Sequence, residues 1–305
     1  MKILITGAHG FFGRNLARAW ANTHQLLLTD CVDSFAEAPN DYLPSNRFFH
    51  CDLLTSMYVL RDHMRMNGSE IVVHCAARTR ITPSWEQYPD YYNTNISASL
   101  ELFEMAQKAG VKKFIYFSSS SVYGNNNTTT QLETDKLNLT SPYAVSKMAA
   151  EAALLAQSYL GTTELIIVRP FTMYGDYMSY GTYALVISKF LAAMENNEPI
   201  ILDGGGLQTR DFVHVSDAIA ALELLVSGAT NRNIYNIGSG TAVSIKQLAD
   251  VIPCTQIVGP LRIGPIKRTC ANINKLRQLG YEPKVNVIEW LTTQVKELTV
   301  KQHTT

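Results

Sequence analysis

Residues 2–13 read KILITGAHGFFG. Residues 2–6 are a short apolar run of strand type, and a helical pattern begins at about residue 12. Between them stand Gly7, Gly10 and Gly13. Glycines permit a tight turn and let the backbone approach a pyrophosphate, whose charge sits on the N-terminus of the following helix. Strand, glycine loop and helix fall in the order that a dinucleotide site requires. A second strand, 25–29, leads to Asp30, 23 residues after Gly7. A carboxylate there accepts hydrogen bonds from a ribose 2′-hydroxyl and repels a 2′-phosphate, which favours NAD over NADP. Asp52-Leu53 follows a third short strand and is placed to edge an adenine.

Outward from this unit the pattern repeats. Strands are expected at 71–77, 112–119 and 164–170, with helices at about 92–109 and 142–160. Strands alternating with helices predict an α/β protein with a Rossmann-type doubly wound parallel sheet. Continuous apolar strands fit a sheet covered on both faces. After Pro170 the pattern loosens, with one helix at about 182–196. Residues 213–226 and 234–237 read as elements returning to the sheet. The expected division is an NAD-binding domain of 1–170 plus 213–240. A smaller, discontinuous α/β substrate-binding lobe takes 171–212 plus 241–305.

Composition narrows the function. Lys+Arg and Asp+Glu number 26 each, so charge gives no case for nucleic acid or an anionic membrane. No apolar stretch reaches the ~18 residues that a bilayer span needs. The five cysteines are scattered, as reduced thiols would be. The seven histidines form no metal-ligand spacing with them, so no metal is expected. MKILITG runs into a strand without a signal core, which predicts a cytoplasmic protein.

Chemistry enters at residues 141–147, SPYAVSK. Ser141 can cap a helix whose first residue is Pro142. Tyr143 and Lys147 then share one helix face. An ammonium beside a phenol is expected to lower the tyrosine pKa toward working pH, giving a base for a sugar hydroxyl.

Taken in order, TGAHGFFG (6–13), CDL (51–53), HCAA (74–77), NTN (93–95), FSSSSVYG (117–124), SPYAVSK (141–147), RPFTMYG (169–175), TRDFVHV (209–215) and RIGPIKR (262–268) span most of the chain. The sequence resembles the extended short-chain dehydrogenase/reductase family, and within it the NAD-dependent nucleotide-sugar epimerase/dehydratase group. The resemblance implies a nicotinamide ring facing Tyr143 and a nucleotide sugar held under the smaller lobe. It implies Ser119, four residues before Tyr123, as the hydroxyl that bonds the sugar O4, with Tyr143 and Lys147 completing the catalytic set. Cofactor contacts would come from Gly7, Gly10, Phe11, Phe12, Gly13, Asp30, Asp52, Leu53, Ala76, Ala77, Arg78, Asn95, Ser118, Tyr143, Lys147 and Pro170. Asn95 would support an active-site water and backbone network, and Pro170 and Tyr174 would flank the nicotinamide. Sugar and nucleotide contacts would come from Ser119, Ser120, Thr172, Ala184, Val186, Ile201, Arg210, Arg262 and Thr269. Arg210 and Arg262 would act as diphosphate clamps, since guanidinium matches phosphate bidentately. The group also implies a homodimer, built on helices near 95–109 and 143–160.

Departures from the group's pattern sharpen the expectation. Relatives that eliminate water carry Asp and Glu after the catalytic hydroxyl, where this chain has Ser120 and Ser121. Without that acid/base pair, dehydration is not expected. Hydride removal and return at C4 is what remains, as in a 4-epimerase of a UDP-hexose, UDP-N-acetylhexosamine or UDP-uronate. Thr269 leaves room for an N-acetyl group, whereas Thr172 resembles the uronate enzymes. Asp203 is atypical against a nucleotide base. The alternatives are a one-way C4 dehydrogenase or ketoreductase and, in another class, a non-catalytic NAD-binding protein.

Overall fold

The computed structural model describes residues 1–32, 48–126, 128–178, 185–260 and 266–304. Seven strands form the main sheet: β1 (Lys2–Thr6), β2 (Gln25–Asp30), β3 (Phe48–His50), β4 (Ile71–His74), β5 (Lys113–Phe117), β6 (Glu164–Pro170) and β10 (Asn233–Ile237). Their order is β10-β6-β5-β4-β1-β2-β3. The sheet is a parallel, Rossmann-type one, with β1 paired to β2 and β4, and β5 to β4 and β6, in parallel register. Chain order reverses between β1 and β4, and ligands of open α/β sheets bind at the carboxyl ends of such a pair.

The apolar runs explain the sheet's burial. Ile3, Leu4, Ile5, Val72, Val73, Ile115, Ile166 and Ile167 are all fully buried. Helices α1 (Phe11–Trp20), α2 (Met57–Asn67), α3 (Ala98–Lys108) and α4 (Pro142–Gln157) follow β1, β3, β4 and β5. Ser141 caps α4 by accepting from Ala144 N at 3.1 Å, and Pro142 opens it. Asn93–Ser97, just before α3, is a turn of π-helix.

The chain forms two compact units. The first comprises Met1–Val122, Leu139–Arg169 and Leu222–Tyr235. The second comprises Tyr123–Asn138, Pro170–Ala221 and Asn236–Thr305. In it β7 (Thr172–Tyr174), β9 (Thr209–His214) and β11 (Ala242–Ser244) make one sheet, and β8 (Ile200–Asp203) pairs with β12 (Gln256–Gly259). Tyr123–Asn138 joins this unit because Gln131 bridges to Ala271 and its side chain accepts from Cys270 N at 2.6 Å. Helix α5 (Val186–Glu195) belongs to the second unit. No helix among the described residues is long and apolar enough to cross a membrane.

A buried polar chain crosses the first unit. His74 Nδ1 lies 2.7 Å from Thr6 Oγ1, and Nε2 lies 2.9 Å from Ser99 Oγ. Burial, with the Lys147 charge in support, pushes the His74 pKa down to about 3. The unfolded chain binds this proton near pH 6.5 and the folded chain refuses it until about 3, so stability falls as pH drops through that window. Urea unfolding at pH 4.5 is expected to show about 2–3 kcal/mol less stability than at pH 7 from this group. A His74→Gln variant that keeps the full wild-type pH slope would remove His74 as its source.

Candidate active site

The glycine loop is built around contacts that no side chain could enter. Gly7 has φ +71°, and a Cβ on it would lie 2.6 Å from Ala76 N. A Cβ on Gly13 would lie 2.1 Å from Gly7 O. Gly10 precedes α1 and offers no side-chain cap, so no N-cap side chain competes with an anion for the first-turn N–H groups. Asp30 steadies the loop: Oδ2 accepts from His9 N at 2.9 Å and Oδ1 from Val32 N at 3.2 Å. The cradle, the uncapped helix and the carboxylate at the end of β2 fit a dinucleotide with a free ribose 2′-hydroxyl. Phe11 is half-buried, and Phe12 is buried against Phe117 with ring centroids 4.6 Å apart.

Asp52 Oδ1 accepts from Leu54 N at 2.8 Å, opening the turn into α2. Leu53 is packed in the core, leaving its backbone alone to meet a ligand. Ala76 and Ala77 are half-buried at the carboxyl end of β4. Arg78 is exposed and pairs with Asp90 at 3.5 Å.

Asn95 sits in the π-turn, a geometry often found at functional sites. Its side chain is engaged by protein: Oδ1 accepts from Arg78 N, and Nδ2 donates to Arg78 O and Ser146 Oγ, each at 2.9 Å. It therefore locks the segment after β4 to α4.

Ser119 and Tyr143 are neighbours, the serine hydroxyl close enough to the phenol to lower its pKa. Tyr143 is buried, its N–H donates to Ser84 Oγ at 3.2 Å, and Tyr91 meets its ring edge-on. Ser119 Oγ also accepts from Ser121 N at 3.1 Å. Lys147 is buried too, donating from Nζ to Phe117 O at 2.7 Å, with Nζ 5.0 Å from the Tyr116 ring centroid. Ser120 is half-buried and Ser121 buried.

Electrostatics correct one expectation. Burial pushes the Tyr143 phenol up to about 12, against the lowering effect of the Ser119 hydroxyl beside it. Burial also pulls Lys147 down to about 7, opposed by Cys75 and Glu151. The phenol is thus not drawn toward neutrality by its helical neighbour. Helix spacing placed the two side chains on one face, but the ammonium is spent on the β5 carbonyl and the Tyr116 ring.

Two further expectations change. Ser118 is 3 % exposed; its N–H donates to Val168 O and its hydroxyl to Glu151 Oε1, so neither is free for a cofactor. Tyr174 is 1 % exposed, edge-on to Phe212, His214 and Trp290, a core residue of the second unit. It has no surface for a nicotinamide.

Within the second unit, Pro170 is buried and Thr172 on β7 lies opposite Phe212 of β9. Arg210 on β9 donates from Nη1 to Thr209 O at 2.8 Å, and burial lowers its pKa to about 10, still a cation at neutral pH. Thr269 N donates to Thr209 O at 3.1 Å, so Thr269 neighbours the Arg210 strand. Its side chain is buried, and Oγ1 has no partner among the described residues. Val186 opens α5 half-buried, and Ile201 on β8 is exposed. Ala184 and Arg262 lie outside the described residues.

A family model described as the NAD dependent epimerase/dehydratase family matches residues 3–238. The chain belongs to this family. The UDP-glucose 4-epimerase of Mycolicibacterium smegmatis is 28 % identical over 309 aligned residues, covering 97 % of this chain and 98 % of that one. The crystal structure of a Thermotoga maritima UDP-glucose 4-epimerase with UDP-glucose is similar at TM-score 0.89 and 27 % identity, covering 99 % of both chains. MoeE5 in complex with UDP-glucuronic acid and NAD gives TM-score 0.85 and 32 % identity, over 99 % of this chain and 100 % of that one.

Around this epimerase-family site stand residues that the sequence did not single out. Glu151 and Arg169 form a buried ion pair at 2.6 Å behind Ser118 and Lys147. Ser84 and Tyr91 hold Tyr143 from a segment of mixed polarity. The one signal for the pair was an arginine ending the apolar run Leu165–Val168. A charge so placed is buried and needs a partner.

Proposed function

We propose that the protein is an NAD-dependent nucleotide-sugar 4-epimerase acting through a transient 4-keto sugar. One observation carries this: the Ser119 hydroxyl lies close enough to the Tyr143 phenol to lower its pKa, and the next two side chains are the hydroxyls Ser120 and Ser121. The set can move a proton at a sugar O4, and it lacks the carboxylates that would carry a water elimination. NAD, held by the glycine loop and Asp30, would supply the hydride acceptor and donor for C4 and a cationic ring that favours Tyr143 phenolate. Tyr143 would take the O4 proton, Ser119 would orient O4, and Lys147 would hold positive charge beneath them. Asp30 would bind the adenosine ribose, and Arg210 the diphosphate. The functional division is the 1–170 plus 213–240 lobe for NAD and the 171–212 plus 241–305 lobe for the nucleotide sugar.

The purified protein, loaded with NAD, is to be given UDP-galactose, UDP-N-acetylgalactosamine and UDP-galacturonate, with products followed by proton NMR. Conversion of one of them at C4, without net NADH, is the expected result. Stoichiometric NADH identifies a one-way oxidoreductase instead, and no change in any sugar sinks the reading.

Asp30→Ser is expected to weaken NADH binding about tenfold, one to two kcal/mol for a lost charged hydrogen bond, and to narrow its preference over NADPH. Fluorescence titration with both nucleotides checks this. An unchanged NADH/NADPH ratio would remove Asp30 from the ribose.

We also propose a cytoplasmic homodimer. The five free cysteines suit a reducing compartment. Leu102, Phe103 and Leu154 are buried in the core; Leu100 and Leu155 pack against it yet stay half-buried on α3 and α4, as does Met148. These three would meet their copies across a two-fold axis. Sedimentation equilibrium at micromolar concentration should return twice the 33.9 kDa chain mass. A monomer there rejects the interface.

A further inference from the structure

Helix α4 carries a third functional position on the Tyr143 face. Tyr143, Lys147 and Glu151 follow at four-residue spacing, one turn apart. Glu151 is 3 % exposed. Its Oε1 accepts from Arg169 Nε at 2.9 Å and its Oε2 from Arg169 Nη2 at 2.6 Å. Oε1 also takes the Ser118 hydroxyl. Arg169, equally buried, is the residue of strand β6 just before Pro170.

One stripe of α4 therefore grips the carboxyl ends of two strands. Lys147 holds β5 at Phe117 O, Glu151 holds β5 at Ser118, and Glu151 holds β6 at Arg169. Ser119 is the next residue after that grip. On stability alone, a buried ion pair serves no better than an apolar pair of similar volume. What an apolar pair could not do is fix Ser118 by a directed hydrogen bond and keep a carboxylate one turn from Lys147.

We propose that Glu151 and Arg169 are positioning residues, holding Ser119 on Tyr143 and keeping Lys147 in its charged form. The part of this that concerns turnover rests on the epimerase reading. The groups facing Lys147 are Cys75 and His74 from β4 and its end, Tyr116 and the Phe117 carbonyl from β5, and Glu151 from its own helix, with Arg169 of β6 behind Glu151. His74 stays neutral near pH 7, and burial keeps the Cys75 thiol protonated. Glu151 is the carboxylate that supports the ammonium against burial. Taking its charge away lowers the Lys147 pKa, so the lysine loses its proton at a lower pH.

Two variants test this in the NAD-loaded protein: E151Q, which removes the charge and keeps the shape, and E151M/R169M, which replaces the pair with apolar volume. Both are compared with wild type on whichever sugar the wild type converts. The expected result is a kcat about 10–100-fold lower with KM within about threefold, the pattern of a misplaced catalytic group. The alkaline limb of the kcat–pH profile should move down by about one unit in E151Q, and by less in E151M/R169M, which also removes the Arg169 cation. NMR of ¹³C-ε-labelled lysines follows the Lys147 titration with no substrate present, and its midpoint should shift the same way. Folded, NAD-retaining variants with wild-type kcat, and an unmoved lysine titration in E151Q, overturn the proposal. So does failure of both variants to fold, which would assign the pair to stability. A wild type inactive on every sugar, with the lysine shift still present in the variants, would sink the epimerase reading and uphold the control of Lys147.

Discussion

Tyr143→Phe is expected to lower kcat by about 10²–10⁴-fold, the range for a lost general acid–base group, with the fold and NAD content unchanged. The ring is what packs: it is 7 % exposed and meets Tyr91 edge-on, and phenylalanine keeps those contacts. The hydroxyl's neighbour is Ser119, and Ser119 Oγ retains the Ser121 N–H after the change. One buried hydroxyl fewer removes a desolvation cost, so stability should change by no more than about 1 kcal/mol. The chemistry has no such reserve. On the proposed reading, the phenolate would take the O4 proton while Ser119 holds the oxygen. Turnover on the sugar that wild type converts, together with the thermal midpoint and co-purified NAD, measures all three. A folded Tyr143→Phe protein within tenfold of wild-type kcat would dismiss Tyr143 as the base.

The same residues show what could and could not be read from the chain. The fold was legible because its information is local: an apolar strand, three glycines and a change to helical periodicity within residues 2–20, repeated by later strands. The Ser141 cap and Pro142 were legible for the same reason, since a cap acts over three residues. The state of Tyr143 was not. Spacing says that Lys147 shares its helix face, but it does not say that Phe117 O, on another element, takes the ammonium. Glu151 was missed because a glutamate at a helical position ordinarily faces water, and its partner Arg169 lies 18 residues away on a strand. Tyr174 was misassigned because a motif gives a residue's place in the chain but not its burial. The pairing of Gln131 with Ala271, 140 residues apart, has no local signature at all.

Gly13→Ala is expected to be the most damaging glycine-to-alanine change among the glycines compared, since its new Cβ meets the shortest contact of any of them. The new Cβ would stand 2.1 Å from Gly7 O, 2.8 Å from Gly7 C and 3.0 Å from Ala8 Cα. Each of these is backbone, so no side chain can rotate away. The loop must open, and with it goes the turn closed by Gly10 N donating to Gly7 O at 3.0 Å. The cost should be about 3 kcal/mol or more in stability, as for severe overpacking, with NAD binding weakened by at least about 100-fold. Gly110→Ala separates this from backbone strain. Gly110 has φ +77° but nothing within 4 Å of its would-be Cβ, so alanine there pays the left-handed conformation alone, about 1–2 kcal/mol, and leaves NAD binding intact. Urea unfolding and NADH titration of the two variants side by side make the comparison. If Gly13→Ala costs no more than Gly110→Ala and still binds NADH as tightly as wild type, the glycine loop is not held by close backbone approach and the dinucleotide does not depend on it.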